Sequence, residues 1–255
     1  MRIRVLGCSG GVGPDLRTTS LLLDEEILID AGTGVGDLSL SEMSRIHRVF
    51  LTHAHLDHVC GLAFMADNLF GEVQHPIEVL ATPQTIGAIR THLFNWQLWP
   101  DFSELPSKDD ALLRMRECAV GERHDLGQGR DIQSFEVLHT VPAVGYVLRS
   151  QGGVFAFTGD TGSCDSMWDF LNALPRLDKL MIDIAFPDEL ADLGRISRHY
   201  TPAVLAGDLS RLRHRPELLL THHKPGCEDS LRDECKTALQ GWNYSHLRRG
   251  TVIEL

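Results

Sequence analysis

Residues 51–61 read LTHAHLDHVCG, which places His53, His55, Asp57 and His58 within six positions behind the apolar run Val49-Phe50-Leu51. Neutral imidazole is the commonest protein metal ligand, and an H-x-H-x-D-H string has few explanations other than a metal site. The apolar run belongs to a predicted strand over 47–52. Residues 59–68 have helical periodicity, with Val59, Leu62, Ala63 and Ala66 on one face. The cluster thus falls in a loop between a strand end and a helix start, where layered α/β folds gather their ligand sites.

Working outward, residues 2–6 and 19–23 read as strands joined by the Gly-rich stretch GCSGGVGPDLR. DEEILIDAGTG then supplies a turn at Asp24-Glu25, a short strand and a second Gly-rich loop. Neither loop is a dinucleotide fingerprint: after Gly32 and Gly34 the third glycine position is Asp37. Glycines at tight strand exits are the simpler reading. DIQSFEVLH, VGYVLRS and VFAFT follow as consecutive strands, with Gln151-Gly152-Gly153 as a turn. LDKLMIDI and PELLLT are buried-type strands on either side of an amphipathic helix over 201–215. With no linker or repeat, residues 1–255 read as one domain. Residues 92–130, rich in Trp, Pro and charge, read as a lid-like insertion.

A chain of 255 residues with 43% hydrophobic and 23% charged residues has ample material for a core. Its formal net charge of −11 argues against a general nucleic-acid coat. No apolar stretch reaches the roughly 20 residues a membrane helix needs. The opening MRIRVLGCSGG enters a strand pattern at once, so no secretory signal is expected and the expected compartment is the cytoplasm. The six cysteines form no C-x-x-C pair and are expected to be free thiols.

Three more strand-end loops carry ligand-type residues: His139 in VLHTVPAVG, Asp160 in FAFTGDTG, and His222 with His223 in LLLTHHKP. Alone, each is unremarkable, since a single histidine is usually structural and a Gly-flanked Asp is a turn former. Joined to the 53–58 cluster, and with one histidine of the 222/223 pair, they give seven N/O ligands without cysteine. A structural zinc takes four ligands, commonly cysteines. Seven point instead to two metals with open positions, the arrangement of hydrolytic sites.

This series resembles the metal motifs of the metallo-β-lactamase superfamily, over the span from Asp30 to His222. The resemblance implies an α/β fold, a four-layer αββα sandwich with the site along one edge. It implies two divalent ions, zinc foremost, with manganese or iron as alternatives. One ion would take His53, His55 and His139, the other Asp57, His58 and His222, and Asp160 would bridge both. Asp30 would brace the metal loop by hydrogen bonds. Within the superfamily, HAHLDHVCGL, LGCSGG and THHKP resemble class II 3′,5′-cyclic nucleotide phosphodiesterases and the related tRNA 3′-processing endonucleases. The T-H-x-K-P pattern makes His222 the ligand and His223 its neighbour. After Gly61-Leu62 the class II signature has two aliphatics and then Ser-Ala or Ser-Pro, where this chain has Ala63-Phe64 and Ala66-Asp67.

The implied activity is hydrolysis of a 3′,5′-cyclic nucleotide, cyclic AMP foremost, to the 5′-monophosphate through a metal-bridging hydroxide. Asp57 and Asp160 would orient that nucleophile. His199, in SRHYTP, would face the substrate and protonate the leaving oxygen, and Lys224 would offer charge to the phosphate. Trp96, Trp99 and Phe102 of NWQLWPDF either stack on the base or form the insertion's own small core. The expected partner is a small-molecule cyclic nucleotide, with neither membrane nor nucleic acid, and a homodimer is compatible with the sequence. The rival readings are a tRNA 3′-processing endonuclease, a thioester or lactam hydrolase, and a non-enzymatic metal-loaded binding protein. The endonuclease would need a basic arm, which the sequence lacks.

Overall fold

The computed structural model describes residues 1–73 and 75–255. Its architecture follows from strands that are apolar on both faces. In β2 (Ser20–Leu23) and β3 (Ile27–Ile29), Leu21, Leu23, Ile27 and Ile29 enter one core, while Leu22 and Leu28 enter another. A strand buried on both sides needs a packed layer on each.

The first sheet adds β1 (Arg2–Gly7), β4 (Arg48–Phe50), β5 (Ile77–Ala81), β6 (Leu113–Glu117) and, closing the chain, β14 (Val252–Glu254). Its order is β14-β1-β2-β3-β4-β5-β6, antiparallel through β3 and parallel from there to β6. The second sheet contains β7 (Arg123–Gly127), β8 (Arg130–Glu136), β9 (Val144–Arg149), β10 (Val154–Phe157), β11 (Lys179–Asp183), β12 (Glu217–Thr221) and β13 (Tyr244–His246). It runs β13-β12-β11-β10-β9-β8-β7, parallel from β13 to β10 and antiparallel from there to β7.

Facing residues of the two sheets, such as Ile29, Phe50, Tyr146 and Phe157, form the central core. The first sheet's outer face is covered by α1 (Leu40–Met43), α2 (Leu56–Leu69) and α3 (Pro83–His92). On the second, α4 (Asp165–Ala173), α6 (Pro202–Leu209) and α7 (Glu228–Ala238) play that part, and the short α5 (Ala191–Ser197) precedes α6. The result is the expected four-layer αββα sandwich.

Some boundaries differ from the sequence reading in ways that matter for the site. The fourth strand stops at Phe50, because the Thr52 amide donates to the Asp30 carboxylate (2.8 Å) instead of to a neighbouring strand. Helix α2 starts at Leu56, so Asp57 and His58 lie in its first turn and not in the loop before it. The helix expected over 201–215 ends at Leu209. No helix among the described residues is long and apolar enough to cross a membrane.

The insertion expected over 92–130 is partly wrong. Residues 113–117 and 123–127 are edge strands, one on each sheet. Edge strands tolerate charge on their open side, and the alternation Leu113-Arg114-Met115-Arg116 disguised one of them. What remains, 93–112, packs along α2: the Phe64 and Trp99 rings meet edge-on at 5.4 Å, and Phe70 and Phe102 at 5.5 Å. Phe102 is only 3% exposed within the first sheet's outer core, so its ring has no free face to offer a base.

Candidate metal centre

The ligand-type residues converge where several strands end. Asp30 follows β3, His53 and His55 lie between β4 and α2, His139 follows β8, Asp160 follows β10, and His222 follows β12. The two halves meet at this seam: the Val144 amide donates to Thr52 O (3.0 Å), and the Tyr146 hydroxyl donates to Leu51 O (2.9 Å). Asp30 and His222 both adopt left-handed backbone, with φ of 56° and 66°. Such conformations persist where the surroundings over-determine them, frequently at functional sites. Gly32 and Gly61 allow the second Gly-rich loop and α2 to touch. A Cβ on Gly61 would lie 2.3 Å from Gly32 O, and one on Gly32 would lie 2.2 Å from Asp57 O. These glycines therefore serve close packing at a strand exit.

Two groups of side chains result. His53, His55, His139 and Asp160 offer donor atoms all within 4.8 Å of one another, and so do Asp57, His58, Asp160 and His222. Asp160 belongs to both groups. Its oxygens lie 3.3 Å from His58 Nε2, 3.1 Å from His222 Nδ1 and 3.8 Å from His53 Nε2. All three nitrogens are buried without a hydrogen-bond partner.

A buried polar atom left unpaired costs about 1–3 kcal/mol. Three of them aimed at one carboxylate describe a centre built to receive a cation. Five imidazoles and two carboxylates suit zinc, manganese or iron. The seven residues therefore fit divalent metal ions. Asp57 is partly exposed, its side chain 28% accessible, and His55 and His139 of the first group are half-buried, so the centre opens to solvent.

The electrostatics agree with this geometry. Burial holds His53 and His222 well below the ordinary imidazole pKa, and it brings His139 down to about 4. These rings are neutral at physiological pH, the form that ligates. His58 differs: burial lowers its pKa, but the Asp160 and Asp30 carboxylates outweigh that and hold it well above the ordinary imidazole value. Burial likewise pushes the Asp160 carboxyl up, and the charge on His58 beside it helps to hold it ionised. The outward-turned nitrogens are anchored: His58 Nδ1 pairs with Asp30 Oδ2 at 2.7 Å, and His53 Nδ1 with Thr52 Oγ1 at 3.0 Å. Such partners fix ring orientation in metal sites.

His199 lies at the rim, its ring 5.1 Å from those of both His139 and His222. Its Nδ1 pairs with Asp183 Oδ2 at 2.7 Å. Burial lowers the imidazole's pKa, but the Asp183 carboxylate outweighs that and holds it above its ordinary value. Asp183 itself is pushed up to about 6 by burial, against the pull of His199. Lys224 does not stand in open solvent: its ammonium donates to Gly10 O (2.9 Å) and contacts His222 Nε2 (3.2 Å). His223 turns away, its ring nitrogens meeting Ile184 O (2.9 Å) and His246 Nδ1 (2.8 Å). Trp96 is 57% exposed, whereas Trp99 is partly buried against α2.

Thr52 and Asp183 were not singled out from sequence. The available signal for Asp183 was a lone acid closing an apolar strand, LMID. Thr52 carried none.

Comparison with known proteins agrees with this architecture. The beta-lactamase superfamily domain matches residues 25–223. A probable 3′,5′-cyclic-nucleotide phosphodiesterase of Yersinia pestis is 28% identical over 66% of this chain and 51% of its own length. A 3′,5′-cyclic-nucleotide phosphodiesterase of Aliivibrio fischeri is 27% identical over 81% of this chain and 74% of its own. The chain thus spans only about half the length of the first of these. A ribonuclease Z of Treponema pallidum is 26% identical over 76% of this chain and 64% of its own. Among solved structures, unliganded yeast PDE1 superposes with a TM-score of 0.80 at 19% identity, covering 100% of this chain and 99% of that one. That likeness is one of fold.

Proposed function

The chain belongs to the β-lactamase superfamily as a metallo-β-lactamase-fold hydrolase, and from that premise we propose that it hydrolyses a 3′,5′-cyclic nucleotide, cyclic AMP, to the 5′-monophosphate. The observation that carries this reading is the buried His199–Asp183 pair beside both ligand groups. A sugar oxygen is a poor leaving group and needs a proton as it departs. The names of the Yersinia and Aliivibrio relatives support the same substrate class.

When bound, two divalent ions supply Lewis-acid polarisation of a phosphoryl oxygen and lower the pKa of water. His53, His55, His139 and Asp160 would hold one, and Asp57, His58, Asp160 and His222 the other. The chain's own groups do the rest. Asp57 and Asp160 orient the attacking oxygen. In-line attack opposite the 3′-oxygen expels it, and His199 Nε2, kept protonated by Asp183, delivers the proton. An ammonium has three donors. Lys224 spends one on Gly10 O, which leaves donors for a phosphate oxygen. The exposed Trp96 offers a face to the base.

The test is a panel of cyclic AMP, cyclic GMP, bis(p-nitrophenyl) phosphate, a lactam, a thioester and a precursor tRNA, offered to the zinc- or manganese-loaded protein. Fastest turnover of a cyclic nucleotide, with the 5′-monophosphate as product, is expected. Faster cleavage of the lactam, thioester or tRNA, or a 3′-monophosphate product, overturns the reading.

A further inference from the structure

We propose that Cys118, Glu122 and His124 form a second, separate metal site, which takes one zinc-class ion and clasps the open edges of the two sheets. A thiol sulfur, a carboxylate oxygen and an imidazole nitrogen from these residues lie within 4.8 Å of one another. None belongs to the centre described above. Cys118 follows β6, the last strand of the first sheet, and His124 lies on β7, the last strand of the second. The turn between them is therefore where the chain passes from one sheet to the other.

The turn holds its donors in place. The Cys118 amide donates to Ala81 O (2.8 Å), and the Ala119 amide donates to Glu122 Oε2 (3.0 Å). That leaves Glu122 Oε1 facing His124 Nε2 at 3.6 Å, beyond hydrogen-bond reach, with Arg116 Nη2 also 3.6 Å away. The His124 ring rests on Phe50 at 5.6 Å. A cavity of about 10 Å³ lies between the sheets here, with Cys118, His124, Thr82 and Ser134 in its wall. That is room for a single water-sized occupant against Cys118 and His124, while Glu122 stands outside this wall.

Three protein donors of S, O and N type, with water as a fourth, are a zinc set. On binding, the sulfur–metal bond replaces the sulfur–hydrogen bond and the thiol proton passes to solvent. Cys118 and His124 are close in sequence, so little loop entropy is involved. The effect lies in pinning β6 to β7.

The candidate catalytic ligands include no cysteine, which makes the test selective. The whole metal-depleted chain is titrated with cobalt(II), and the near-ultraviolet thiolate-to-cobalt charge-transfer band is followed. The band is expected to saturate at one cobalt per chain. Cys118→Ser should abolish it and lower total metal by one ion, with the histidine-cluster ions still bound as proof of folding. His124→Gln, which keeps the thiol, should shift the band's midpoint to higher cobalt, and Cys60→Ser should leave it alone. A folded chain that shows no band at saturating cobalt, or a band that survives Cys118→Ser, overturns the proposal. Neither outcome depends on what the enzyme hydrolyses.

Discussion

Asp30 Oδ2 lies 2.7 Å from His58 Nδ1 with both side chains wholly buried, while Asp30 Oδ1 accepts the Thr52 amide at 2.8 Å. One carboxylate thereby sets both the end of a strand and the direction in which the His58 imidazole points. Asp30→Asn keeps an acceptor for Thr52 but loses the charge on His58. Metal affinity should fall roughly 10–100-fold, read by competition with a chromophoric chelator. Unchanged affinity would show that His58 is oriented by packing alone.

Asp160 touches both ligand groups, which makes its loss different in kind from the loss of any single histidine. Wild-type protein should carry two ions in the histidine clusters, and Asp160→Ala should lose both together, by elemental analysis. Each site at ligand about 100-fold above its Kd contributes about 2.7 kcal/mol to apparent stability. Chelation should therefore lower the melting temperature of the wild type, and that of the variant much less. Retention of one ion at full occupancy would mean that Asp160 serves a single site.

If His199 protonates the leaving oxygen, His199→Ala should cut turnover of the cyclic nucleotide by roughly 10²–10⁴ with metal content intact. A p-nitrophenyl ester, whose leaving group needs no proton, should lose far less. Asp183 touches only His199 Nδ1 among these groups and acts as a positioning residue. Asp183→Asn should repeat the same leaving-group pattern in milder form. Equal losses on both substrates would give the pair a binding role instead.

Gly61 packs against the Gly32 carbonyl in the turn of α2 that follows Asp57 and His58. Gly61→Ala forces the two apart and should destabilise the fold by about 1–3 kcal/mol, measured by urea unfolding. Because Asp57 and His58 ride on the same helix, the variant should also bind metal more weakly. Gly36→Ala is the control, since its Cβ would meet nothing within 4 Å.

The sequence was most legible where chemistry is concentrated in a few residues. The 53–58 string is dense enough to read as a metal loop, and Asp160 and His222 each follow a strongly apolar strand, whereas His139 follows the mixed strand Arg130–Glu136. The Asp183–His199 pair was half-visible: His199 stood out by resemblance, but its partner lies 16 residues away on another element. Spacing along the chain cannot show that contact. The edge strands β6 and β7 were missed because charged residues on an open edge break the apolar pattern. Their aromatic neighbours were misplaced for a related reason: a buried Phe102 and an exposed Trp96 look alike in NWQLWPDF, and only packing against α2 separates them.

That separation yields the last prediction. Trp96 is held in a fixed turn: its amide donates to Trp99 O at 3.0 Å, and the Asn95 side chain accepts the amides of Gln97 and Leu98 at 3.0 and 2.8 Å. An exposed indole on a rigid turn has a free face for stacking and loses little entropy when it does so. Base stacking contributes about 1–3 kcal/mol. Trp96→Ala should therefore raise KM for the cyclic nucleotide with little change in kcat, and KM for bis(p-nitrophenyl) phosphate should move much less. Trp99 packs on Phe64, so Trp99→Ala should instead lower stability by about 3 kcal/mol. If Trp96→Ala leaves KM unchanged, the base is read elsewhere; if it lowers the melting temperature as Trp99→Ala does, the exposed ring is structural.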